Sequence, residues 1–328
     1  MGDFTEHLKT LYQPGEQQHW SGRRTSPEIG NQYWYQDIHL GDLRSLDVVK
    51  SSSIGLLGYV CDEGVKRNFG RAGAKNGPQA IRDKLGKLPI HYSTKSVIDY
   101  GDFICLEDDM ESCQKAFSNG ISKLISKGVF PIGLGGGHDI AYAHFNGIKD
   151  ALNNKRIGIV NFDAHFDLRP VESQPNSGTP FNQIIHEFKS KGEHIDYFVI
   201  GIQQQSNTRQ LFEIAQMHQV SFVFNDVCSN AKNELSTLKQ KLKEFLGRND
   251  YIYITIDMDG FASTYAPGVS APSSLGFSPF FVYKVLKFLF ETNKVISCDI
   301  CELNPIYDTN GDTSALAAKL VDFMVAIK

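Results

Sequence analysis

The sequence predicts an α/β protein: a single three-layer domain whose mostly parallel, eight-stranded sheet carries helices on both faces. Three observations carry this. The strand-like runs are continuous stretches of apolar, β-branched residues and not apolar–polar alternations, as expected of strands covered on both sides. They alternate along the chain with segments of helical period. No repeat, low-complexity tract or long linker divides the 328 residues, so one domain over 46–328, preceded by an N-terminal arm over 1–45, is expected.

Taken in order, the first 45 residues are rich in Gln, Tyr, Trp and His without clear periodicity. They read as an extended arm over the domain surface. Ser53 to Val60 is the first strand, followed by a glycine-rich loop, Asp62 to Gly77, and a helix begun by Pro78, a favoured first-turn residue. Val97 to Tyr100 reads as a short strand, Glu111 to Lys127 as a helix, and Val129 to Gly133 as a strand. A Gly135-Gly136-Gly137 run then leads into a helix from Asp139 to Leu152 and a strand from Arg156 to Val160. Further strands are expected at Tyr197 to Gly201, Val220 to Asn225, Tyr251 to Asp257 and Val295 to Glu302. Helical patterns lie between most of them, at Ser206 to Gln216, Asn230 to Leu246 and Pro279 to Thr292, and Asp312 or Thr313 caps a final helix.

Composition bounds the function. With 41% apolar and 21% charged residues, a net charge of -4 and a pI near 6.2, the chain has no basic excess, which argues against nucleic acid or anionic membrane surfaces as partners. The N-terminus lacks the basic cap and apolar core of a signal peptide, and Glu6 stands where a myristoylation signal wants Ser or Thr. A cytoplasmic protein is expected, and a homo-oligomer is compatible with the sequence. The most apolar helical segment, Pro279 to Phe290, is interrupted by Lys284 and Lys287 and is too short to span a bilayer. Six scattered cysteines read as reduced core thiols. Cys298 and Cys301 lie on one expected strand, about 10 Å apart and on opposite faces, beyond disulfide reach.

The chemistry gathers at strand ends. In Asn161-Phe-Asp-Ala-His-Phe-Asp-Leu-Arg169, Asp163, His165 and Asp167 alternate after an apolar strand. Residues spaced by two share a face of an extended chain. His138 follows the glycine run, Asp257 and Asp259 follow another strand, and Glu302 follows a fourth. In a parallel sheet, ligands bind beyond the carboxyl ends of strands. An isolated aspartate after a strand is usually a turn or cap residue, but several uncompensated carboxylates at one rim would raise one another's pKa. Divalent ions remove that conflict. Asp163, Asp167, Asp257 and Asp259 carry four negative charges, matching two dications, and a shared hydroxide leaves the site at minus one, which suits a cationic substrate group. Carboxylate-rich ligation with two imidazoles and no thiolate suits two Mn²⁺ best, with zinc, cobalt or iron(II) as alternatives.

These residues resemble a known family. Gly135-Gly-Gly-His138-Asp, Asp163-Ala-His-Phe-Asp167, Asp257-Met-Asp259 and Glu302-Leu-Asn-Pro305 are similar to the four signatures of the ureohydrolases, the arginase and agmatinase superfamily of binuclear manganese hydrolases, from about Ser53 to the C-terminus. Three more stretches, Asp62 to Ala74, Ser177 to Phe181 and Ala266 to Pro272, resemble its formimidoylglutamase branch, whose members hydrolyse N-formimidoyl-L-glutamate to L-glutamate and formamide in histidine degradation. The resemblance implies an arginase-like fold and two Mn²⁺ per subunit. It implies that His138, Asp163, Asp167 and Asp257 hold one ion and Asp163, His165, Asp257 and Asp259 the other. Asp167 would bind the bridging hydroxide and relay its proton to the leaving amine. Glu302 would hold the amidinium or guanidinium of a small substrate.

Two departures from the arginases bear on substrate. Ser177 stands where they carry a histidine, so that histidine's proton-shuttle role does not transfer. Arg169 stands where they carry Asn. Formimidoylglutamate has two carboxylates and arginine one, so Arg169, with Arg67 or Arg71, is expected to clamp them. Arginase, agmatinase or guanidino-acid hydrolase activity is the alternative within the family. A catalytically silent assembly or sensor subunit is the alternative outside catalysis. Asp139 reads as a helix cap or as a partner orienting His138, and His144 as a packing or solvent-facing residue. The glycine run lacks the spacing and Lys-Ser/Thr of a phosphate loop, and Ser177 lacks a nucleophile-elbow pattern.

Overall fold

The computed structural model describes residues 10–48, 53–92, 95–228 and 231–328. Residues 1–9, where the reading of the N-terminus falls, and Asn230, the expected start of one helix, lie outside them. All eight expected strands are present: β3 (Ser53–Val60), β4 (Ser96–Ile104), β5 (Val129–Leu134), β6 (Ile157–Phe162), β7 (Tyr197–Ile202), β8 (Ser221–Phe224), β9 (Tyr251–Asp257) and β10 (Val295–Cys301). They pair in parallel in the order β4-β3-β5-β10-β9-β6-β7-β8. Two short strands complete the sheet. β1 (Tyr12–Gln13) runs antiparallel to β4, and β2 (His39–Leu40) parallel to it.

The strands are apolar along their whole length because both faces are covered. Helices Met110–Ser126 and Ile140–Ala151 bury Phe117, Ile121, Phe145 and Ile148 on one face, while Lys232–Arg248, Pro279–Phe290 and Asp312–Ile327 bury Leu242, Val285 and Leu320 on the other. Burying a side chain such as Leu or Phe contributes roughly 1.5–3 kcal/mol. Cys298 belongs to one core layer and Cys301 to the other, as their odd spacing along a strand requires, and all six cysteines are free thiols. Among the described residues no helix is long and apolar enough to cross a membrane.

Residues 10–48 insert aromatic side chains into the domain. Trp20 and Trp34 are buried and stacked with centroids 6.5 Å apart. Trp20 Nε1 donates to Asp99 at 2.8 Å, and Trp34 Nε1 to Asp322 at 2.8 Å.

Three local expectations need correction. The strand expected to stop at Tyr100 continues to Ile104 through Gly101-Asp102, a turn-like pair. The fully buried Arg82 guanidinium binds Asp99 at 2.9 Å and Asp102 at 2.8 Å, which lets both acids stand in the sheet. The final helix begins at Asp312, but neither Asp312 nor Thr313 caps it. Asp308, a few residues upstream, accepts from the Thr313 and Ser314 amides at 2.8 Å each. A further helix, Pro180–Ser190, has Pro180 in its first turn and buries Phe181, Ile184 and Ile185; it was not expected.

Candidate metal centre

The four strands that carry the chemistry are neighbours in the middle of the sheet, in the order β5-β10-β9-β6. The chain leaves β5 and enters β6 three positions along the sheet, and β10 and β9 later fill the gap between them. His138, Glu302, Asp257 and Asp163 therefore meet at one rim, where the strand order reverses.

Local structure aims each group inward. After β5 the chain turns so tightly that a Cβ on Gly136 would collide with the Cys61 carbonyl. The Gly137 amide donates to that carbonyl at 3.1 Å, and Gly136 accepts from the Glu302 amide at 2.8 Å. His138 thus sits against Glu302, whose Oε1 accepts the His138 amide at 2.8 Å. After β6, Asp163 Oδ1 accepts the His165 amide at 2.7 Å. After β9, Asp257 Oδ1 accepts the Asp259 amide at 2.7 Å. Each Asp-x-Asp or Asp-x-His pair is folded into a turn by its own first carboxylate. Asp167 and Glu302 adopt left-handed backbone, with φ of 47° and 63°. Non-glycine residues held there cost on the order of 1 kcal/mol or more and cluster at functional sites.

His138 Nδ1 lies 2.8 Å from Asp167 Oδ2, 3.1 Å from Asp257 Oδ2 and 3.2 Å from Asp163 Oδ2. His165 Nδ1 lies 3.3 Å from Asp259 Oδ1 and 3.4 Å from Asp163 Oδ1. Two donor groups result, His138 with Asp163, Asp167 and Asp257, and Asp163 with His165 and Asp259; Asp163 belongs to both. His138 Nδ1 and Asp259 Oδ1 are buried without a hydrogen-bond partner, the state expected of ligands made for an ion. The residues fit a pair of divalent cations. Cys301 forms a third group with His138 and Asp257. Sequence reading placed Cys301 among the core thiols, and only the β9–β10 register, which pairs it with Asp257, brings it here.

Without ions the site is electrostatically frustrated. Burial, then the Asp259 charge, raises the Glu302 carboxyl to about 8. Burial, then the neighbouring carboxylates, likewise raises Asp257 and Asp167. Burial works against protonation of both histidines, but Cys301 and then the acids beside His138, and Asp259 and Asp163 beside His165, outweigh it and lift them well above 6.5. Asp163 is the exception. Burial pushes it up, but the adjacent His138 and His165 rings hold it below the ordinary carboxylate range. The site keeps its charges together by binding protons where dications would sit.

Beside these groups lies a cavity of about 190 Å³ lined by His165, Asp167, Asp257, Asp259 and Glu302, and also by Arg169 and Ser177. Arg169 also lines an outer chamber of about 380 Å³. Arg67 reaches only that outer chamber and is engaged by Glu63 at 3.1 Å and Glu111 at 2.6 Å. Arg71 lines neither; its Nε donates to the Ser270 carbonyl at 2.9 Å and its guanidinium stacks on Tyr307. Ser177 Oγ accepts from Asn68 Nδ2 at 3.1 Å. Asn68 and Ser270, which also line the inner cavity, lie in the Asp62 to Ala74 and Ala266 to Pro272 stretches that carry the family resemblance, but nothing in their type or spacing singled them out as site residues.

Two expectations about neighbours change. Asp139 makes no cap bond; its buried Oδ2 accepts the Tyr59 hydroxyl at 2.6 Å. His144 is neither solvent-facing nor merely packed, but lies 2.7 Å from Asp299 in the core.

Residues 52–326 match the model of the arginase family. The chain is 39% identical over 311 residues to a formimidoylglutamase of Geobacillus thermodenitrificans, covering 94% of this chain and 95% of that one. It is 37% identical over 314 residues to one of Lysinibacillus sphaericus, covering 95% and 96%. The crystal structure of formimidoylglutamase from Bacillus subtilis superposes with a TM-score of 0.81 at 21% identity, covering 93% and 94% of the two chains. The Trypanosoma cruzi formiminoglutamase with Mn²⁺ superposes with a TM-score of 0.73 at 26% identity, covering 87% and 97%. The shared sheet and the match along nearly the whole chain lead to one conclusion: this protein belongs to the arginase family.

Proposed function

We propose that the protein hydrolyses the formimidoyl C–N bond of N-formimidoyl-L-glutamate, releasing L-glutamate and formamide, with His138, Asp163, Asp167 and Asp257 holding one Mn²⁺ and Asp163, His165, Asp257 and Asp259 the other. The observation that carries the substrate choice is Arg169. Its exposed guanidinium stands on the wall shared by both chambers, and among the described residues no ion pair engages it. Relatives 36–39% identical bear the name of this activity.

When bound, two such ions lower the pKa of a shared water and supply hydroxide at neutral pH. The residues do the rest. Glu302, buried and fixed through the His138 amide, receives the amidinium and orients its planar carbon over the acidic floor. Asp167 takes the proton given up by the attacking water and delivers it to the departing amine nitrogen. Arg169 grips the glutamate carboxylates with a planar fork suited to them, so the tail points outward. Arg67 is committed to Glu63 and Glu111, which leaves Arg169 the principal clamp.

Release of formamide and of urea from formimidoylglutamate, arginine, agmatine and guanidinobutyrate, measured with Mn²⁺ present, tests this. Formamide from formimidoylglutamate should dominate. A higher kcat/KM for urea from arginine would overturn the substrate, and a metal content below two ions per chain would favour a silent family member.

A further inference from the structure

Beneath the acidic floor lies a buried polar cluster that the chemistry above leaves without a role. His144, Asp299 and Ser297 are fully buried, as is Tyr253. Asp299 Oδ2 lies 2.7 Å from His144 Nδ1 and accepts the Tyr253 hydroxyl. His144 Nε2 lies 2.6 Å from Ser297 Oγ, which spends its single proton on the Pro131 carbonyl at 2.9 Å. His144 Nε2 is therefore the donor to Ser297. The sheet is shaped around this pair. A Cβ on Gly133 would come within 2.8 Å of the Asp299 Cβ and 3.1 Å of His144 Nδ1.

A buried histidine–carboxylate pair is weak as a stabiliser compared with apolar packing, so its place in an otherwise apolar core points to another use. Its position shows which. Thr255 pairs in register with Asp299, and on β9 it shares a face with Tyr253, two residues away. Thr255 Oγ1 lies 3.1 Å from His138 Nε2. The other nitrogen of that ring, Nδ1, faces Asp163, Asp167 and Asp257. A hydroxyl that accepts the Nε2 proton leaves the Nδ1 lone pair to the acidic side, and a partner of this kind on the far nitrogen fixes both tautomer and ring orientation of a ligating histidine.

We propose that Thr255 is a positioning residue that commits His138 Nδ1 to the ion, and that the Tyr253–Asp299–His144 cluster holds the β9 surface on which Thr255 stands. The proposal rests on the metal reading above. It is tested by Mn²⁺ titration, followed by electron paramagnetic resonance, of the full chain and its Thr255→Ser, Thr255→Val and Tyr253→Phe variants, with thermal unfolding of the metal-stripped proteins as a check on folding. Thr255→Val keeps the shape and loses the acceptor, and should weaken binding about 10–100-fold. Thr255→Ser loses the methyl, keeps the acceptor and should bind as the parent does. Tyr253→Phe should weaken binding less than Thr255→Val. A folded Thr255→Val protein with parental affinity overturns the role of Thr255, as does a Thr255→Ser loss equal to that of Val. An unaffected Tyr253→Phe overturns the role of the cluster. A parent chain that takes up no Mn²⁺ overturns the metal reading, and this proposal with it.

Discussion

Stripped of metal, the protein should lose stability as pH rises from 6 to 9. The Glu302 carboxyl stands at about 8 in the folded chain against 4.5 as its ordinary value, because of burial first and the Asp259 charge second. A raised group binds its proton more tightly in the folded state, so the stability it contributes is full below the unfolded pKa and is lost as pH climbs through the folded one. At roughly 1.4 kcal/mol per pH unit the whole difference is about 5 kcal/mol, of which about 3 kcal/mol falls between pH 6 and 9. His138 and His165, lifted well above 6.5 by Cys301 and the acids around them, have the same sign and add to the loss. For a chain of this size the drop corresponds to a fall in Tm of roughly 4–5 °C. Circular-dichroism melts after chelation, at pH 6, 7, 8 and 9, would measure it, and Mn²⁺ should flatten or reverse the slope because ions replace the protons. A metal-free Tm that is level or rises over this range would refute the account of charge in the site.

Four further outcomes are expected. Asp167→Asn keeps a residue type that tolerates left-handed backbone, so Tm should hold while kcat falls about 10²–10⁴-fold. Asp163→Asn strikes the carboxylate common to both donor groups, and elemental analysis should find loss of both ions, not one. Arg169→Asn should raise KM for formimidoylglutamate steeply with little change for substrates lacking a second carboxylate; an unchanged KM would remove Arg169 from the clamp. Arg82→Met leaves Asp99 and Asp102 buried without their cation, and denaturant unfolding should show a loss of about 3–5 kcal/mol.

How much could be read in advance depended on distance along the chain. Period and composition revealed all eight parallel strands, because a strand covered on both faces must be apolar throughout. The length of β4 escaped, since the residue that neutralises its two aspartates is Arg82, on a different element. The cap of the last helix escaped because Asp308 lies outside the usual capping positions. His138, Asp163, His165, Asp167, Asp257, Asp259 and Glu302 were legible because each follows a strand in a local pattern, and the structure gathers all seven. Arg67 and Arg71 looked equivalent to Arg169 in sequence. Partners 44 and 199 residues away, Glu111 and Ser270, tie them elsewhere.

The sequence by itself determined the layered α/β fold and the inventory of ligand-type residues, since hydrophobic period and strand-end spacing are local properties of a chain. Tertiary structure alone decided that β5, β10, β9 and β6 are neighbours, that Asp163 serves both donor groups, that no ion pair among the described residues engages Arg169, and that Thr255 and a buried histidine–carboxylate pair stand behind His138. These depend on strand order and register, which bring together side chains more than a hundred residues apart.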